Sequence, residues 1–314
     1  MQDQYERKNR IAGLMSDCIR TWFTTEPMCR HALLFLEDKR KERMLFGELT
    51  AIHYRMFGGE HADIEKASAA VELFILASDI LDDLEDGDAP DKPWMKLPLP
   101  LSVHIATSFI TLSQQALLEA APNAELRGKL AEMTNIQLLR SANGQMLDLM
   151  NGIRTEEAYL EMIELKSASL LVWACMCGVM LAGHPWHEKV AEYAKELGIA
   201  AQLRNDGRDL MRWDDKSDFL NRKRTLLSMY LMEGDDEQVS WIRDYYEGRL
   251  TKSDISEKKD LFFRICEQSG ASLYGSVMSR MHYNRFEELL RETDADADWK
   301  DKLLGLTAGY ITVE

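Results

Sequence analysis

The sequence predicts an all-α fold. Apolar residues recur at three- and four-residue spacing along most of the chain, strand-like alternation is scarce, and prolines number only seven, most of them gathered in APDKPWMKLPLP. In order, the periodic stretches are YERKNRIAGLMSDCIRTWF, IEKASAAVELFILASDILDDL, NAELRGKLAEMTNIQLLRSANGQMLDLM, TEEAYLEMIELKSASLLVWACMCGVML and HEKVAEYAKELGIAAQLRNDGRDLM, and the pattern runs on to the end. Breaks fall at MFGGEH, the Pro-rich stretch after residue 88, NGIRT, AGHPW, EGDDE and ETDADADW, each carrying Gly, Pro, Asn or Asp. None is long enough for a flexible interdomain linker. One domain over residues 1–314, with about ten or more helices around a central cavity, is the simplest reading.

Composition narrows the function. A formal charge of -15 argues against a nucleic-acid partner, which needs Lys and Arg to neutralise phosphates, so a multi-anionic ligand must arrive with its own cations. The five cysteines are odd in number and lack a C-x-x-C pair, which suits a reducing, cytoplasmic compartment. MQDQYERKNR has no apolar signal region, and SASLLVWACMCGVMLAGHPWH is broken by Ser, Gly, Pro and His, so it reads as a buried helix and not a transmembrane segment. His184 and His187 flank a Pro in a turn and read as loop residues, and the methionines as core filling.

One stretch resists a bland reading. DILDDLEDGD, residues 79 to 88, packs six carboxylates into ten positions directly after an apolar helix. A solvated helix end would explain it, yet Asp79, Asp82, Asp83 and Asp86 share one helical face. Far downstream Gln202, Asn205, Asp206 and Asp209 repeat that spacing. Mg2+ takes oxygen ligands, usually one or two carboxylates plus water and substrate phosphates, so two such faces across a cavity suit several Mg2+ and a diphosphate. Polar groups also interrupt other apolar helices: Gln145 and Asp148 with Gly144 beside them, and Lys166, which alone would be a snorkelling stem. The triplet Arg222, Lys223, Arg224 alone would be a solvated face.

Together these residues resemble the trans-isoprenyl diphosphate synthases of the class I isoprenoid synthase fold. Glu72, Ser78 and DDLED match that family's first aspartate-rich helix, GQMLD its G-Q-x-x-D, and Lys166-Ser167 its helical K-T or K-S. Gln202 to Asp209 resembles Q-x-x-D-D-x-x-D, and SDFLNRKRTL resembles the trailing S-D-x-x-x-x-K-x-T-L. The motifs occur in the family's order.

Departures refine the resemblance. Members that condense isopentenyl diphosphate carry G-G-K-x-x-R-P and an Arg-Arg pair after the first motif, whereas this chain has FGGEHAD and GDAPDKPWMK, so the acceptor is expected not to be a diphosphate. The segment from FGGEHAD to PWMK is similar to the branch that prenylates a tryptophan of a bacterial competence pheromone precursor, which implies a quorum-sensing role. Asn205 stands where many synthases have Asp. The cyclase version of the motif needs Ser or Thr at position 209 and Glu at 213, where this chain has Asp209 and Trp213, so a cyclase is disfavoured.

The resemblance implies Mg2+ held by Asp82, Asp83, Asp86, Asn205, Asp206 and Asp209, and a diphosphate also contacted by Lys166, Gln202, Lys223, Arg204 and Arg208. It implies a prenyl pocket at Phe74, Ala77, Ser78 and Gln145, and leaves Asp79, Glu85 and Asp88 as bystanders on the rim. Expected partners are geranyl or farnesyl diphosphate and the precursor peptide, with a homodimer allowed. The alternatives are a prenyl diphosphate synthase elongating with isopentenyl diphosphate and a noncatalytic regulatory subunit with a degenerate site.

Overall fold

The computed structural model describes residues 2–61, 63–233 and 237–310. Among these are thirteen α-helices and no strand: α1 Gln2–Trp22, α2 Glu26–Lys39, α3 Leu45–Met56, α4 Ile64–Asp86, α5 Leu99–Glu119, α6 Ala124–Met150, α7 Glu156–Leu181, α8 Glu188–Leu210, α9 Leu226–Met232, α10 Ser240–Tyr246, α11 Lys259–Gln268, α12 Ala271–Glu292 and α13 Ala297–Thr307. Gly234, Asp235 and Asp236 of the break at EGDDE lie outside the described residues.

Local chemistry sets the ends of these helices. Gly87, at a φ of 69° that an L side chain rarely adopts, stops α4 while its N–H donates back to Asp83 O at 2.9 Å. Thr155 caps α7 by accepting from the Ala158 N–H, and Thr225 and Ser228 form a reciprocal capping box at α9.

Contacts divide the chain into two compact units. The first comprises residues up to 139, 170–192 and 289–307. Its α4 packs against α1, α3 and α5, and the apolar faces meet in a core that includes Ile11, Phe35, Leu73, Ala77, Trp94 and Phe109. Burying each such large side chain contributes about 1.5–3 kcal/mol. The apolar part of α7 belongs here: Trp173 to Cys177 are wholly buried, and Trp173 meets Phe74 edge-on at 5.1 Å. Close contact between α7 and α3 needs Gly178, because a Cβ there would lie 2.3 Å from the Thr50 carbonyl oxygen. By length and composition α7 is apolar enough to cross a membrane, but its apolar side chains are spent on this packing.

The second unit comprises residues 140–169, 193–288 and the stretch from 308. One core cluster gathers Phe219, Tyr245 and Phe262, with Phe219 and Phe262 stacked at 4.0 Å. Another joins Tyr159, Met162, Leu203 and Leu226.

Candidate functional site

In the first unit, the last two turns of α4 carry the first aspartate motif. Asp79, expected as a rim bystander, instead accepts a hydrogen bond from Lys39 Nζ at 2.8 Å. Lys39 is only 5% exposed and also faces Glu72 at 4.0 Å and Glu42 at 3.4 Å. Burial opposes its charge, but Asp79 and Glu72 outweigh that and raise its pKa. Glu72 is fully buried. One of its oxygens accepts the Gly47 N–H at 2.7 Å, and burial pushes its pKa up to about 7.

The segment after the motif is pinned to it. Lys92 reaches Asp38 and Glu42, each at 2.8 Å, and lies 5.1 Å from the Trp94 ring centroid. Trp94, 1% exposed, donates its indole N–H to Asp83 Oδ2 at 2.9 Å, and its carbonyl accepts from the Ser102 hydroxyl. One Asp83 oxygen is thus committed, while Asp82 and Asp86 occupy the half-exposed turns on either side. Phe74 and Ser78 share a face of the same helix, with Phe74 closed off by Trp173. Ala77 is wholly buried in the core of this unit.

In the second unit the helix carrying Lys166 departs from regular α geometry. Residues Glu164–Ala168 form a π turn within α7, a local irregularity frequent at functional sites. The Ser141 hydroxyl donates to the Lys166 carbonyl at 2.8 Å. Gly144 of α6 lies against this turn: a Cβ would come within 2.1 Å of the Lys166 backbone nitrogen. The close crossing delivers Lys166 Nζ to Asp148 Oδ2 at 2.5 Å. Gln145 stands half-buried one turn earlier on α6.

Asp206, the most buried member of the second motif, accepts from the Tyr159 hydroxyl and, at 2.9 Å, from Gln202 Nε2. Gln202 in turn accepts from Ser167 at 2.9 Å, so its amide links the residue after Lys166 to the acidic face. Burial raises the Asp206 pKa to about 6, with Asp148 and Asp209 adding to the effect. Asp209 is raised as well, by burial first, against the pull of Arg208, Arg212, Lys216 and Lys223. The Asn205 amide oxygen accepts from Arg208, so those two residues meet each other here; Arg204 is half-buried on the same helix.

Sequence reasoning passed over Asp218. Burial and the fields of Asp206, Asp209 and Asp148 raise its pKa, while Lys223 opposes them. Its signal was present in the SD of SDFLNRKRTL, five residues before Lys223. Lys223 is set by an unusual loop. Asn151 and Arg222 are the two non-glycine residues with left-handed backbone among the described residues, at φ 47° and 54°. The Asn151 side chain donates to the Arg222 carbonyl at 2.8 Å and accepts the Arg224 N–H at 2.9 Å, bracketing Lys223 between them. Arg222 itself is spent on the Leu250 carbonyl and on the Tyr245 ring at 4.4 Å.

Divalent metal suits this donor chemistry. Among the described residues no group of three or more His, Cys, Asp or Glu side chains is placed to hold a metal ion by itself. Yet Asp148, Asp206, Asp209 and Asp218 act on one another as like charges, with Lys166, Lys223, Arg208, Arg212 and Lys216 around them, and carboxylates set beside cations in this way suit a hard cation bound partly through substrate phosphates. His184 and His187, read as loop residues, pack edge-on against Phe57 in the first unit.

The polyprenyl synthetase family profile matches residues 43–262, and the chain belongs to that family. It is 33% identical, over 94% of its own length and 90% of the relative's, to "Tryptophan prenyltransferase ComQ" of Bacillus subtilis subsp. natto. Among solved structures it is similar to a geranylgeranyl pyrophosphate synthase (TM-score 0.86, 19% identity, covering 98% of this chain and 97% of that one). It also resembles the geranylgeranyl pyrophosphate synthase of Corynebacterium glutamicum complexed with isoprenyl diphosphate and magnesium (TM-score 0.82, 14% identity, covering 98% and 99%). The all-α, class I isoprenoid synthase expectation is met.

Proposed function

We propose that this chain is a tryptophan prenyltransferase. It moves a geranyl or farnesyl group from the allylic diphosphate to an indole of a pheromone precursor peptide, in the cytoplasm, as part of quorum sensing. The observation that carries the reading is its 33% identity, over 94% of the chain, to a tryptophan prenyltransferase.

Asp82 and Asp86, with Asn205 and Asp209, are the proposed Mg2+ ligands. The bound ions would neutralise the diphosphate and stabilise pyrophosphate as it departs with the C–O electron pair. Trp94 holds Asp83 on the first of the ligand helices, and Tyr159 and Gln202 hold Asp206 on the second. Lys166 and Lys223 add positive charge to the leaving group, with Arg204 and Arg208 beside them. The Asn205 amide oxygen, which accepts from Arg208, keeps a second lone pair that could serve a metal. The electron-rich indole then forms the new C–C bond to the allylic carbon and gives up its proton to the departing pyrophosphate, while apolar walls such as Phe74 keep water away.

Coexpression with a pheromone precursor tests the reading. Mass spectrometry should find the peptide heavier by one geranyl or farnesyl group on its tryptophan. Elongation of an allylic primer by isopentenyl diphosphate, with no peptide modified, would instead mark a prenyl diphosphate synthase. No Mg2+-dependent release of pyrophosphate with any acceptor would mark a noncatalytic subunit.

A further inference from the structure

Arg224 is the one member of the Arg222-Lys223-Arg224 triplet that neither the diphosphate chemistry nor the loop absorbs. Its side chain enters a second-unit cavity of about 210 Å3 that is also lined by Arg154, Arg243, Glu233, Glu247 and Tyr246. In a chain of net charge -15, three guanidiniums around one cavity run against the overall balance. Among the described residues neither Arg154 nor Arg224 forms an ion pair: the Arg154 side chain donates to the carbonyls of Asn151 and Ile153, and Arg224 lies over the Tyr246 ring at 5.9 Å. Burial, and then the charge of Arg154, lower the Arg224 pKa, while Tyr246 and Glu247 act against them.

The lining also limits what can bind. Three arginines face two glutamates, of which Glu247 also pairs with Arg249, so the excess of positive charge is small and matches a carboxylate better than a diphosphate. Met229, Met232 and the Tyr246 ring supply apolar surface for the aliphatic stem that carries such a group. A planar guanidinium pairs with a carboxylate through two parallel hydrogen bonds.

We propose that Arg154, Arg224 and Arg243 form a carboxylate-binding cup that anchors the acceptor peptide through an acidic side chain or its C-terminus. This assignment of the ligand rests on the peptide prenyl transfer proposed above.

Transfer rates are measured with the precursor peptide in its native form, with its C-terminus amidated, and with its acidic side chains changed to amides. Arg224→Gln should raise the peptide KM about tenfold, the worth of a charge-assisted hydrogen bond, with kcat and the donor KM unchanged. Arg224→Lys should recover part of the loss, and Arg154→Gln should act in the same direction. One of the two neutralised peptides should show a similar KM penalty with the wild-type enzyme and none with Arg224→Gln, which identifies the anchoring carboxylate. An unchanged peptide KM, or a variant that still discriminates between the peptides, overturns the cup. If the wild type modifies no peptide, the transferase reading has failed and calorimetric titration of the magnesium-free protein decides the cup alone. Saturable succinate binding that Arg224→Gln abolishes supports it; no binding, or binding of inorganic phosphate in preference to succinate, overturns it.

Discussion

The indole N–H of Trp94 donates to Asp83 Oδ2 at 2.9 Å, tying the chain that leaves the first aspartate motif back onto the motif. Because the ring is buried and its carbonyl is held by Ser102, the donor is fixed before any ligand arrives. Trp94→Phe keeps most of the ring and removes only the donor. It should lower the unfolding free energy by about 1–2 kcal/mol and raise the Mg2+ concentration for half-maximal transfer. Urea denaturation and a Mg2+ titration check the two effects separately.

Asp82→Ala and Asp86→Ala should each cut prenyl transfer by about 10²-fold or more while leaving the far-UV circular dichroism of the protein unchanged. Both side chains are half-exposed, so their removal opens no core cavity. Near-normal transfer by either variant at limiting Mg2+ would disprove the metal assignment.

Glu72 makes stability depend on pH in a predictable direction. Its pKa rises on folding from 4.5 to about 7, so the folded state binds the extra proton between those values. Stability therefore falls as pH rises through that window and levels off above it. Glu72→Gln retains an oxygen for the Gly47 N–H but has no proton to lose. Relative to wild type it should gain up to about 3 kcal/mol between pH 4 and pH 8, less whatever attraction to Lys39 is forfeited. Guanidinium unfolding of both proteins across that range is the measurement, and parallel curves would contradict the assignment.

Gly144→Ala should be costly, because its Cβ would meet the Lys166 backbone nitrogen at 2.1 Å. A loss of about 1–3 kcal/mol is expected, together with a fall in transfer as the lysine is displaced. Gly128→Ala, on the same helix with nothing near its Cβ, is the control and should be neutral or stabilising by up to about 1 kcal/mol.

Donor length should respond to the face of α4 below the aspartates. Phe74 lies about 12 Å along the helix from Asp82 and is backed by Trp173, which suits the floor of a prenyl pocket. Ser78→Phe should favour geranyl over farnesyl diphosphate, and Phe74→Ala should admit geranylgeranyl diphosphate. Transfer rates for the three donors with one peptide decide; no change in preference from either variant would mean the chain lies elsewhere.

The helices and the order of the motifs were legible because both are local: three- and four-residue spacing places Asp82 with Asp86, and Gln202 with Asp206 and Asp209, on single faces. What escaped depends on partners distant in sequence. Nothing near Asp79 announces Lys39, forty residues earlier, so an acid read as idle is in fact paired. Lys166 alone looked like a snorkelling stem, and only the crossing at Gly144 turns it toward Asp148. The π turn was invisible because the run after it, LLVWACMCGVML, is apolar on every side, so a change of helical phase leaves no mark in the pattern. The PWMK segment was noticed for its likeness to relatives, but its physical part, an indole donor for Asp83, needed three dimensions.

Asn151 has a consequence for both substrates at once. Its amide grips the backbone on both sides of Lys223, which answers to the acidic cluster, and fixes the amide nitrogen of Arg224, which turns to the arginine-lined cavity. Neighbouring residues with opposed duties thus hang from one hinge pin. Slackening Asn151 should therefore loosen the grip on donor and acceptor together, whereas a change to the Arg224 side chain alone leaves the pin, and with it Lys223, in place.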